Sequence, residues 1–215
     1  MKKWVWSAAL MVIGSVTLVS AAVAKDNEQR EISAQYEFSA GGEMIFDGSV
    51  GEVTFVYHDD DSVDIQLTAE QSDGNWFGWN DGDVEALELV VEQQGNRIDI
   101  STENDDDLEL TWVISMPRLS RLKAELGVGA INGDIKMTDI DMEVGVGQID
   151  VRLLGDDYER IMLDSGVGDT QIKGVDKMSS ERAMVSSESR SEGQGKHRVK
   201  ASSGVGEVIV TIDKR

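Results

Sequence analysis

The stretch Leu122-Lys123-Ala124-Glu125-Leu126-Gly127-Val128-Gly129-Ala130-Ile131-Asn132-Gly133-Asp134-Ile135 decides the fold of this chain. Apolar and polar residues alternate on both sides of a Gly-Val-Gly tripeptide. A period of two belongs to a half-buried β-strand and not to a helix. The tripeptide recurs at Gly145–Gly147, Gly166–Gly168 and Gly204–Gly206, with starts 18, 21 and 38 residues apart. The flanks alternate in the same way: Met142 and Val144 before, Ile149, Val151 and Leu153 after; Ile161 and Leu163 before, Thr170 and Ile172 after; Val199 and Ala201 before, Val208, Val210 and Ile212 after. Between them stand Lys123, Glu125, Glu143, Asp150, Arg152, Asp164, Gln171, Lys173, Lys200 and Thr211. The valine of the tripeptide is expected to keep the inward phase on both sides. The last gap is about twice the others, so a degenerate copy is expected at Ser187-Glu188-Ser189.

Glycine at these positions has a physical reason. A strand that turns a corner needs backbone that reaches positive φ and lets the next layer approach closely. Gly127, Gly129, Gly145, Gly147, Gly166, Gly168, Gly204 and Gly206 are therefore read as structural corners. One such rung cannot offset the entropy of ordering itself, whereas rungs laid on one another share core and ladder bonds. The expected fold is all-β: a β-solenoid-like stack of about five glycine-cornered rungs over 118–215. A β-sandwich of hairpins is the alternative, because hairpin turns also carry glycine. The final rung, Val208–Ile212, is expected to expose an edge that Asp213, Lys214 and Arg215 protect by charge.

Upstream, Ser49-Val50-Gly51-Glu52-Val53-Thr54-Phe55 echoes the repeat. Further strands are predicted at Val63–Leu67, Val84–Val91, Arg97–Ser101 and Leu108–Met116, the last ended by Pro117. Their spacing predicts an antiparallel N-terminal part over 25–117 that caps the stack. No linker separates the halves, so 25–215 reads as one continuous domain.

The first 24 residues read as a signal peptide. Lys2 and Lys3 precede an apolar run from Trp4 to Val19, and Ala22-Val23-Ala24 offers small residues at −3 and −1. Cleavage after Ala24 would place the protein in the periplasm or at the cell surface. No later run is long enough to span a bilayer. The chain has no Cys and a formal net charge of −21. Such a surface repels nucleic acid and anionic lipid.

Together, the signal peptide, the strand ending in Ile114-Ser115-Met116-Pro117, the segment Leu122–Gly129 and the recurring Gly-Val-Gly-x-apolar rungs resemble a bacterial "putative adhesin" family of β-strand-repeat envelope proteins, a head-GIN-like domain of unknown function. The resemblance covers roughly Gly41 to Ile212. It implies a β-solenoid-like envelope protein and supplies no catalytic residues. Ser187–Ser189, where the glycines are lost, departs from the pattern.

Searches for chemistry leave little. The two histidines, His58 and His197, lack a nucleophile context. His58 adjoins Asp59–Asp61 and reads as a surface residue of a turn. His197 ends the polar run Ser186–His197, which reads as a flexible loop. Structural calcium is weighed for Asp59–Asp61, Asn80–Asp83 and Asn104–Asp107, but none has the spacing of a calcium loop. No cofactor is expected. Trp76, Phe77 and Trp79 form the one candidate ligand or partner surface, with capping of the core as the competing role. The expected function is a non-catalytic exported adhesin-like binding or scaffold module, partnered by an envelope protein or a glycan. A carbohydrate-active β-helix enzyme and a periplasmic partner of an envelope-stress or regulatory system are the alternatives.

Overall fold

The computed structural model describes residues 29–71 and 82–214, and every regular element among them is a strand. The signal-peptide reading and the aromatic segment Trp76–Trp79 fall outside the described residues. The strands are β1 (Gln29–Glu37), β2 (Glu43–Tyr57), β3 (Ser62–Gln71), β4 (Glu88–Gln94), β5 (Arg97–Glu103), β6 (Leu108–Met116), β7 (Arg121–Lys136), β8 (Asp139–Leu154), β9 (Tyr158–Lys173), β10 (Ser179–Ala183), β11 (Ser186–Glu192) and β12 (His197–Asp213). No helix long and apolar enough to cross a membrane occurs among the described residues.

The twelve strands form one mixed sheet, with β1-β3-β6-β2-β7-β8-β12-β9-β11-β10 in order and β5 joining β4 to β2. The five long strands β2, β7, β8, β12 and β9 run parallel and hold one register. Along it Gly51 faces Gly129, Gly129 faces Gly147, Gly147 faces Gly206, and Gly206 faces Gly168. The bends therefore form a column.

Each long strand folds over at that column. Phe46 and Phe55 lie on opposite sides of the bend in β2, nine residues apart, where a straight strand would separate them by ~30 Å. Their ring centroids are 6.0 Å apart, edge to face, and Phe46 meets Trp112 of β6 at 5.2 Å. The two arms of the strand thus face one core. Before the bend β2 pairs with β5, and after it with β6, while β7 flanks both arms.

The core shows how the bend changes the alternation. In β7, Leu122, Ala124 and Leu126 are buried before it, and Ile131 and Ile135 after it. Leu126 and Ile131 are five residues apart, an odd number, so the inward phase flips inside the tripeptide. The expectation that the valine points inward is thereby corrected: Val128 is 46% exposed on the outside of the bend.

Four further expectations change. The part over 25–117 is mixed and not antiparallel throughout, because β2 pairs in parallel with β5, β6 and β7 as the first strand of the column. β12 lies between β8 and β9, paired in parallel on both sides, so the rungs do not stack in chain order and β12 is no edge. Ser187–Ser189 lies in β11, which pairs antiparallel with β9 and is not a parallel rung. The run from Ser186 is strand up to Glu192, not a loop. Its inward positions Ser187, Ser189 and Ser191 are buried. Ser187 and Ser189 Oγ lie 2.9 and 2.8 Å from Thr170 Oγ1, so hydroxyl pairing closes this end of the core. β1, unforeseen in the sequence, pairs antiparallel with β3, which pairs antiparallel with β6.

Candidate functional site

The bend column positions a row of side chains on the outside of the molecule. Val50 pairs with Val128, Val128 with Val146, Val146 with Val205, and Val205 with Val167. All five are between 42% and 49% exposed. With strands ~4.8 Å apart, the row is about 19 Å long. The positions on either side of each valine are glycine, apart from Ser49. A Cβ on Gly147 would lie 1.8 Å from the Gly129 carbonyl oxygen, and one on Gly145 2.5 Å from that of Gly127. The glycines are imposed by strand spacing, and they leave the valines standing above bare backbone.

The row continues onto the β10–β11 hairpin. The Gly168 N–H donates to the Val185 carbonyl at 2.9 Å, which sets the hairpin tip beside Val167. Val185 is 61% exposed, and Met184 beside it is fully exposed.

Acidic side chains border the row on both sides. Two residues before the first corner position lie, in register, Asp47, Glu125, Glu143, Ser202 and Asp164, followed by Glu188 across from Asp164. One residue after the last corner glycine lie Glu52, Ala130, Gln148, Glu207 and Asp169. Lys123 pairs with Glu125 at 2.5 Å, Arg182 with Asp169, and Arg190 with Glu188. Asp47, Glu143, Asp164 and Glu207 have no ion-pair partner among the described residues. The surface is an aliphatic ridge between two acidic borders. Sequence reasoning missed it because the valines were assigned inward.

Elsewhere the polar residues tie the fold together. The His197 ring is largely buried, with Nδ1 3.1 Å from Asp139 Oδ1 and Nε2 3.9 Å from Asp157 Oδ2. Lys196 bonds Asp157 at 3.1 Å and Arg198 bonds Glu159 at 2.8 Å. These cations hold both carboxyls below the usual carboxylate range, chiefly through the hydrogen bonds. His58 Nδ1 accepts the Asp60 N–H at 3.0 Å, and Nε2 lies 3.5 Å from Asp64. Asp105 accepts from Ser49 and Thr102 hydroxyls at 2.6 and 2.9 Å. Among the described residues no three His, Cys, Asp or Glu converge on a point that could hold a metal ion.

A shallow depression lined by Asp169, Thr170, Gln171, Arg182, Glu207 and Ile209 opens where the ridge meets the hairpin. A glycosidase acid needs a desolvated carboxyl. Asp169 and Glu207 are both exposed, and Asp169 is engaged by Arg182.

Fold and repeats together define an all-β protein built on parallel strands bent at a shared column of glycines. A "putative cell adhesion protein" from Clostridium sporogenes superposes with a TM-score of 0.52 at 13% identity, covering 86% of this chain and 100% of that one. At that identity the likeness is one of fold. A "putative adhesin" from Parabacteroides distasonis matches at TM-score 0.31 and 12% identity, covering 86% of this chain and 71% of its own. No curated protein matches the chain. Residues 22–173 match the family described as the N-terminal domain of toast_rack, DUF2154, and the chain belongs to that family. The match ends with β9, yet β12 beyond it lies in the middle of the sheet.

Proposed function

We propose that this protein is a non-catalytic, adhesin-like binding module of the bacterial envelope, exported by a segment cleaved after Ala24. In this reading the bent strands form a rigid β-solenoid-like scaffold, and the valine ridge is the face it presents. The observation that carries it is the alignment of five exposed valines, with exposures of 42–49%, across five strands whose neighbouring inward residues are buried. Isolated exposed aliphatics are ordinary, whereas a contiguous row rimmed by polar residues marks an interaction site. Most of the bordering carboxylates are exposed, and the half-buried Glu125 and Glu188 are each paired with a cation, which suits recognition better than proton transfer.

The test compares the full protein with a variant carrying Val128→Ser, Val146→Ser and Val205→Ser. Both should fold alike, because these side chains leave the core untouched. Only the unmodified ridge should sediment with isolated cell envelopes. Equal sedimentation of the two proteins, or cleavage of an envelope polysaccharide by the purified protein, overturns the reading. N-terminal sequencing of the exported protein should begin at Lys25.

A further inference from the structure

Resting on that reading, we propose that the ridge binds a cationic amphipathic segment of a partner protein, one whose apolar stripe is flanked by Lys or Arg on both sides. The geometry sets these terms. The ridge offers aliphatic contacts every ~4.8 Å along about 19 Å. A helix presents apolar side chains about once per 5.4 Å turn, close to that interval, whereas same-face residues of an extended strand recur every ~6.6 Å. A helix of some 13 residues would cover the row. The borders set the charge. Asp47, Glu143 and Asp164 on one side and Glu207 on the other carry no ion pair among the described residues, so they are free to meet cations. The hairpin tip, with Met184 fully exposed and Val185 61% exposed, gives one end of the row a flexible apolar contact.

The same borders disfavour the other occupants. A second copy would bring its own acidic columns against these, and like charges brought together in an interface repel. An anionic lipid surface meets the same repulsion. A basic stripe gains at both borders while its apolar residues cover the valines.

The experiment measures binding of a labelled ~14-residue Leu/Lys amphipathic helical peptide to the full protein by fluorescence anisotropy. A Leu/Glu peptide of the same pattern, anionic phospholipid vesicles and self-association of the protein are measured in parallel. The expected result is saturable binding of the Leu/Lys peptide that weakens with salt. It should be on the order of tenfold weaker in the Val128→Ser/Val146→Ser/Val205→Ser variant, which keeps every charge, and weaker again in Glu143→Gln/Glu207→Gln. If the serine variant binds the peptide as tightly as the unmodified protein, the attraction is only the field of an acidic surface and the proposal fails. Equal binding of the Leu/Glu peptide, vesicle binding through the valines, or a dimer lost in the serine variant would assign a different occupant and overturn it. If the peptide does not bind while the serine variant still loses envelope binding, this partner class is wrong and the binding-module reading survives. If neither changes, both fall.

Discussion

Replacing Gly147 by alanine tests the column at its centre. Gly147 has a φ of +143°, a region that is essentially glycine's alone and costs other residues about 1–3 kcal/mol. The added Cβ would sit 1.8 Å from the Gly129 carbonyl oxygen and 2.8 Å from its carbon, where ordinary contact begins near 3.4 Å. The obstruction is backbone, so β7 and β8 must separate by more than an ångström at the corner. That weakens ladder hydrogen bonds worth roughly 0.5–1.5 kcal/mol each. Alanine returns about 0.4–1 kcal/mol by restricting the unfolded chain. The net expectation is a loss of about 3–4 kcal/mol. Gly95→Ala is the control, since Gly95 also has positive φ, +61°, but nothing lies within 4 Å of its Cβ position. It should cost no more than about 1 kcal/mol. Equilibrium urea denaturation followed by far-ultraviolet circular dichroism measures both. If Gly147→Ala loses no more stability than Gly95→Ala, close stacking is not what demands glycine at the bends.

The hydroxyl-closed end of the core gives a second expectation. Ser189 is fully buried and its Oγ lies 2.8 Å from Thr170 Oγ1 and 3.2 Å from the Thr170 carbonyl, so Ser189→Ala should cost about 1–3 kcal/mol in the same denaturation assay. A gain in stability would show that the polar closure is dispensable. Acid sensitivity gives a third. Arg198 holds the Glu159 carboxyl low, and Lys196 does the same for Asp157. A carboxyl depressed in the folded state adds stability that is fully present above its unfolded pKa, near 4, and is lost as pH falls through the folded value. Thermal midpoints should therefore drop from about pH 5 downward, and Arg198→Met should lower the midpoint at pH 7 while shrinking that acid drop. An unchanged acid profile in Arg198→Met would remove the ion pair from the account.

Much of the strand pattern was legible because alternation is local. The flanks of each tripeptide lie in strands, Ser49–Phe55 joins the same column, and Leu108–Met116 is β6 to the residue. The outward turn of the valines was also written in the chain, since the separation of Leu126 and Ile131 is odd, yet the expectation held them inward. The acidic border shows in three of the four copies as Glu125, Glu143 and Asp164, each two residues ahead of its tripeptide, and only the register makes it a column. The order of the rungs was not legible. All copies share the same phase and the same bend, so any stacking order satisfies the local pattern equally. Only long-range pairing selects β12 for the slot between β8 and β9. Likewise the spacing at Ser187–Ser189 fits a rung, but a hairpin turn at Met184, which has a φ of +50°, sends β11 back antiparallel. β1 escaped notice because Gln29–Glu37 contains one buried residue, Ala34, too weak a stripe to stand out.

The placement of β12 makes the array behave like an arch with a keystone. A column whose units pile up in the order they are written can be lengthened or shortened at its tail one layer at a time. Here the segment that follows all other described strands wedges between two that precede it and satisfies the ladders of both. Until it arrives, β8 and β9 each keep an open flank facing the same gap. The pairings of β12 join parts of the chain far apart in sequence, the kind of contact that makes folding slow. Losing β12 would therefore open the sheet in its middle, between β8 and β9, and not at an end.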